Sequence, residues 1–172
     1  MAILKGLPLC SYGFQNVKAK HRLVIHAMAE YIFYEGQLRP AADLLKYIDR
    51  GAHFTVLPHG RPVEHIDPSL VAWHAKGYNS VTAGAELLIP GIIDYGGLLR
   101  EMARECAAFD VYSRGQYRGL IDIISHLLAV GYLDSPLDYT FHEDLSPGRK
   151  FDPGPAFDRG VFHEMVLLSF GV

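Results

Sequence analysis

The spacing of apolar positions along the chain switches between a strand-like and a helix-like period, and the switches mark the elements. "RLVIHAMA" (22–29) is a short apolar run rich in branched side chains, which predicts a buried strand carrying His26 near its end. "RPAADLLKYIDRG" (39–51) places Ala42, Leu45 and Ile48 at helical spacing, with Gly51 as the stop. "AHFTVLPHGRPVEHI" (52–66) reads as two strands joined around Pro58 to Arg61, a hairpin. "SVTAGAELLI" (80–89) predicts a further strand, closed by Pro90-Gly91. Helices follow over about 94–110, through Leu98, Leu99, Met102 and Cys106, and about 115–130, through Leu120, Ile124, Leu127 and Leu128. A strand near 138–142 leads to a closing helix in "PAFDRGVFHEMVLLSF", with Pro155 near its start. Strands interspersed with helices predict the α/β class: a single domain over 1–172 with a central mixed β-sheet flanked by α-helices.

Composition narrows the function classes. A chain of 172 residues, 49% hydrophobic and 20% charged, fits one soluble domain with a real core. A formal net charge of −3 lacks the basic footprint of a nucleic-acid binder. The longest apolar run, "AELLIPGII", falls short of the roughly 20 residues of a membrane span, so no membrane insertion is expected. Cys10 and Cys106 make no disulfide framework and fit synthesis in a reducing compartment. The start "MAILKGLPLCSYGF" lacks the apolar core of a signal peptide, and too little precedes "LPLC" for a lipoprotein signal. The expectation is a monomer made in the cytoplasm without a signal peptide.

The stretch "HEDLSPGRKFDPG" (142–154) concentrates ionisable groups between two Pro-Gly pairs, and reads as a folded-back loop. Among nine histidines, His126 in a helix and His59 in a turn have ordinary structural readings. His53 and His65 face each other across the predicted hairpin; they are a rival metal pair, although hydrogen-bonded sheet histidines are the plainer reading. His26 and His142 each stand at the end of a predicted strand. With Asp152 they supply two imidazoles and a carboxylate, a donor set that a catalytic zinc takes while keeping one position open. Lys150 stands two residues before Asp152 and, on an extended chain, shares its side; the alternative is a solvated surface lysine. Glu86 interrupts the apolar run "TAGAELLIP", where an unpaired carboxylate is costly to bury. It is either a general base in a cleft or a glutamate on an edge strand facing solvent.

"LVIHAMA", "AHFTV", "VAWHAKG", "AGAELLI" and "HEDLSPGRKFDPGPAFD" resemble, in that order, the zinc-dependent N-acetylmuramoyl-L-alanine amidases, the type 2 amidase family related to peptidoglycan recognition proteins. The resemblance runs from about 21 to 158, taken as the catalytic core, and its last block is the most specific. It implies an enzyme that hydrolyses the amide between N-acetylmuramic acid and the L-alanine of the stem peptide. It also implies His26, His142 and Asp152 as ligands of Zn2+, Glu86 as the group handling the water proton, and Lys150 as the cation near the tetrahedral intermediate. Trp73 and His74 match an element that lines the substrate cleft.

Three departures accompany it. Phe141 stands where the family usually has Gly, Ala27-Met28-Ala29 replace a Tyr-Thr-Ala-like segment, and Arg159 stands where a Trp often follows "FD". None removes a ligand or a proton-transfer group. The implied partner is peptidoglycan or a muropeptide, and the implied function a lytic, endolysin-type enzyme acting on the bacterial cell wall. A cytosolic amidase recycling anhydro-muropeptides and a non-catalytic peptidoglycan-binding module are the alternatives.

Overall fold

The runs "RLVIHAMA" and "TAGAELLI" become the two longest strands, paired side by side in the sheet. The structure, a computed structural model, describes residues 4–5, 21–44 and 51–172. Strands β1 (Leu4–Lys5), β2 (Arg22–Ala29), β5 (Phe54–Val56), β6 (Pro62–Glu64), β7 (Thr82–Ile89) and β8 (Tyr139–Phe141) form one sheet in the order β1-β6-β5-β7-β2-β8. The β5–β6 pair is antiparallel; β1–β6, β5–β7, β7–β2 and β2–β8 are parallel. The sheet is therefore mixed, as predicted. Strands β2 and β7 are buried along most of their length, which explains why they read as continuous apolar runs rather than alternating ones.

Helices α2 (Tyr95–Met102), α3 (Arg114–Ala129) and α5 (Arg159–Phe170) cover the sheet. Leu120, Ile123, Ile124 and Leu127 of α3, with Phe162 and Val166 of α5, form one core with Leu23, Ile25, Phe54, Ala85 and Leu87. Ser113 caps α3 in a reciprocal box: its hydroxyl accepts from the Gln116 N–H, and the Gln116 side chain accepts from the Ser113 N–H. The Gln116 amide also donates to the Leu88 carbonyl at 2.8 Å, tying the helix start to β7.

Several boundaries differ from the sequence reading. The helix predicted over 94–110 stops at Met102, because the Met102 carbonyl accepts from the Ala156 N–H at 3.0 Å instead of continuing the helical ladder. The closing helix begins at Arg159 rather than near Pro155, because the Asp158 side chain accepts from the Val161 N–H and sets the cap there. "HEDLSPGRKFDPG" is not loop throughout: His142–Leu145 forms one helical turn, α4, before Pro147 ends it. Within 39–51, α1 covers Ala41–Leu44, and Leu45 and Ile48 lie outside the described residues, as do Cys10 and the apolar start. A hairpin of β3 (Tyr31–Tyr34) and β4 (Gln37–Pro40) was not anticipated. Its two-residue turn has Glu35 and Gly36 both at positive φ, 49° and 75°. No helix among the described residues is long and apolar enough to cross a membrane.

Candidate active site

Parallel pairing gathers the chemistry. Strands β7, β2 and β8 run in one direction, so their C-terminal ends open on one edge of the sheet, where α/β folds place their sites. His26 lies in the second half of β2, and Glu86 is its register partner on β7. His142 is the first residue beyond β8. Asp152 returns to it on the following loop, which is held at three points. The Glu143 N–H donates to the Asp152 carbonyl at 3.1 Å, the Tyr112 hydroxyl donates to the Pro153 carbonyl at 2.7 Å, and the Ala156 N–H takes the Met102 carbonyl.

This brings three buried donor atoms together. His26 Nδ1 is 2.8 Å from His142 Nδ1 and 3.3 Å from Asp152 Oδ2, and His142 Nδ1 is 2.9 Å from the same oxygen. Among the described residues this is the one cluster of three His, Cys, Asp or Glu side chains arranged to hold a metal ion. A tetrahedral dication with bonds of about 2.0–2.1 Å keeps its ligand atoms about 3.3 Å apart, close to the observed triangle. Burial pulls the His26 pKa down to about 4, against the opposing influence of Asp152, so the ring is neutral near pH 7 as a ligand must be. Burial alone would raise the Asp152 carboxyl, but the hydrogen bond from His142, with the His26 ring beside it, holds it well below the usual carboxylate range. The donor set fits a divalent cation.

Around the cluster lies a cleft of about 690 Å³. Glu86 reaches it from a central strand, not an edge, and its Oε2 is buried with no hydrogen-bond partner among the described residues. Burial first, then the Asp152 charge, pushes the Glu86 carboxyl up to about 8, against the pull of Lys150. Lys150 and Asp152 both line the cleft, and Phe151 between them is exposed at its rim. Trp73 also lines it, 58% exposed, together with Tyr95, Lys76 and Arg149.

The comparisons bear on this arrangement. A family profile described as N-acetylmuramoyl-L-alanine amidase matches residues 17–155. The chain belongs to that amidase family. The 1,6-anhydro-N-acetylmuramyl-L-alanine amidase AmpD of Escherichia coli strain K12 is 28% identical over 136 residues, 76% of this chain and 66% of its own. The chain thus spans slightly less than two thirds of that relative's length. Among solved structures, an AmpD selenomethionine derivative superposes with a TM-score of 0.67 at 19% identity, covering 95% of this chain and 93% of its own. The N-acetylmuramoyl-L-alanine amidase LysC from Clostridium intestinale URNW gives a TM-score of 0.65 at 15% identity, with 100% and 99% covered. These superpositions establish the amidase fold.

Two of the chain's departures from the family pattern meet in space. The Arg159 guanidinium lies 4.1 Å over the Phe141 ring and pairs with Asp144 and Glu143, bracketing the turn that carries His142. The rival pair separates into two satisfied histidines. His53 Nδ1 accepts from the Gly84 N–H and its Nε2–H donates to the Leu70 carbonyl, each at 3.0 Å. His65 Nε2 is 2.8 Å from the Thr55 hydroxyl. His126 faces Glu64 from α3, and His59 is exposed in the hairpin turn. Sequence reasoning grouped His74 with Trp73 as cleft lining; both line the cleft, and the His74 ring also contacts His26 and Thr82 behind the cluster. It missed Tyr112 altogether, which carries no motif signal and acts through one hydroxyl.

Proposed function

We propose that this chain is a zinc-dependent hydrolase that cleaves the amide between N-acetylmuramic acid and L-alanine. The observation that carries the reading is the convergence of His26 Nδ1, His142 Nδ1 and Asp152 Oδ2 on the floor of a cleft that Glu86 and Lys150 also line, in a chain of this family. His26, His142 and Asp152 would hold the ion. When bound there, zinc supplies Lewis-acid activation of water and of the amide carbonyl at neutral pH.

The remaining roles fall to the chain's own groups. Glu86, whose buried carboxyl the charge of a bound dication would favour in its ionised form, takes the proton from the attacking water and returns it to the leaving amine nitrogen of L-alanine. Lys150 supplies positive charge for the oxyanion that develops on the lactyl carbonyl. Trp73, exposed at the rim, offers an apolar face to the substrate. Water adds across one C–N bond, leaving a lactyl carboxylate and a free L-alanine amine.

The fold shared along both chains with LysCS, an endolysin N-acetylmuramoyl-L-alanine amidase from Clostridium intestinale URNW, suits an endolysin-type enzyme acting on the wall. The sequence match to an amidase named for 1,6-anhydro-N-acetylmuramyl-L-alanine favours a second reading, a soluble anhydro-muropeptide substrate. Digestion of purified sacculi and of soluble anhydro-muropeptides tests both. Either substrate should release new N-terminal L-alanine without new reducing sugar ends. New reducing ends alone, or new amino termini from other residues, would overturn the amidase reading.

A further inference from the structure

Behind the metal cluster the structure lines up a row of histidines whose hydrogen bonds run in one direction. His74 Nε2 faces two oxygens of Thr82, the carbonyl at 3.2 Å and the hydroxyl at 3.3 Å. The carbonyl can only accept, and the Thr82 hydroxyl spends its own proton on the Tyr78 carbonyl at 2.8 Å. His74 therefore carries its proton on Nε2, and its Nδ1 is an acceptor. That Nδ1 lies 3.0 Å from His26 Nε2, which must then be the donor. A neutral imidazole has one ring proton, so His26 Nδ1 is left as a bare lone pair directed at His142 and Asp152.

We infer that His74 is a positioning residue: by accepting from His26 Nε2–H it fixes the tautomer and ring orientation that present His26 Nδ1 to the metal. The inference rests on the zinc reading above for what His26 Nδ1 binds, but the tautomer is a property of the metal-free chain. A ligand imidazole held through its second nitrogen is a general device, and losing such a partner lowers metal affinity about 10–100-fold.

The backbone around His74 is built for the same seat. The Asn79 side-chain oxygen accepts from the N–H groups of both His74 and Ala75, at 3.1 and 2.7 Å. Opposite, Gly84 on β7 leaves space for the ring: a Cβ there would come within 2.5 Å of His74 Nδ1 and 2.7 Å of its Cγ. Glycine at 84, two residues before Glu86 in an otherwise apolar strand, is what lets the ring lie against the sheet. Trp73, the neighbour of His74, remains at the rim. The two members of the pair thus do different things, one facing substrate and the other acting through His26.

The test uses the full chain with 15N-labelled histidine, stripped of metal, and long-range proton–nitrogen correlation spectra at neutral pH. Wild type should show His26 in the Nε2–H form. In His74→Ala that preference should be lost, and zinc affinity measured by competition with a chelator should fall about 10–100-fold. Gly84→Ala, which keeps His74 but displaces its ring, should fall with it. His74→Asn, whose side-chain oxygen can take the place of Nδ1, should recover most of the affinity. A wild-type His26 in the Nδ1–H form overturns the inference, and so does a His74→Ala protein that binds zinc within twofold of wild type. If wild type binds no zinc, the zinc reading fails, while the metal-free tautomer still decides the role of His74. Variants that do not fold leave that wild-type spectrum as the deciding measurement.

Discussion

Two glycines in the loop between α4 and α5 separate backbone conformation from contact, and replacing each with alanine measures how tightly that loop seats Asp152. Gly148 and Gly154 have nearly the same positive φ, 75° and 73°. Among the described residues a Cβ on Gly148 would meet nothing within 4 Å, whereas one on Gly154 would stand 2.5 Å from the Met102 carbonyl oxygen and 3.0 Å from Met102 Cβ. Gly148→Ala should therefore cost only the left-handed conformation, about 1 kcal/mol. Gly154→Ala adds overpacking of about 1–3 kcal/mol. It also pushes on the carbonyl that holds the Ala156 N–H, a bond worth about 1 kcal/mol. The expected gap between the two variants is about 2–4 kcal/mol, read as a shift in urea midpoint at constant m-value on metal-free protein. Because Asp152 lies two residues away, Gly154→Ala should also weaken zinc binding while Gly148→Ala should not. Variants within about 0.5 kcal/mol of each other would mean that the Met102 contact does not set the loop's path.

Glu86→Gln and Lys150→Ala should each keep the metal and the fold while losing about 10²–10⁴-fold in hydrolysis of the L-alanine amide; near wild-type rates with bound zinc would remove both roles. Burial lowers the His65 pKa from 6.5 to about 4, with Asp43 opposing, so stability from this neutral ring is complete above pH 6.5 and drains away as pH falls toward 4. Between pH 7 and pH 5 wild type should lose about 2 kcal/mol more than His65→Gln, at about 1.4 kcal/mol per pH unit below 6.5; parallel urea curves for the two proteins would refute the shift. Arg159→Ala should lower stability by about 1 kcal/mol at low salt and by less at high salt, since Arg159 is partly exposed and its ion pairs are screened; an effect unchanged by salt would assign it to the Phe141 contact instead.

The sheet and its two long central strands were legible because burial on both faces writes itself as an uninterrupted apolar run. What escaped was decided by contacts distant in sequence. Nothing within 94–110 announces that the Met102 carbonyl will be taken by Ala156, so helical periodicity overran the true end by eight residues. The β3–β4 hairpin lacked the usual Asn-Gly or Asp-Gly signal, and Arg39 and Pro40, read as the start of the helix over 39–51, close its second strand.

The donor set at the site was legible in part for a chemical reason and in part through family resemblance. Two histidines at strand ends and an aspartate on a Pro-Gly loop are few enough to be proposed as a set, and parallel pairing of β7, β2 and β8 brings the strand ends to one edge. The hydrogen-bond directions of the histidines behind them were not legible, because no spacing in the sequence records which ring nitrogen donates. His53 and His74 lie with ring centroids 5.5 Å apart, and each uses one nitrogen as donor and one as acceptor. His53 meets backbone groups at both nitrogens. His74 ends on Thr82 at one side only and hands its preference to His26. That asymmetry separates a structural histidine from one that can set the chemistry of its neighbour.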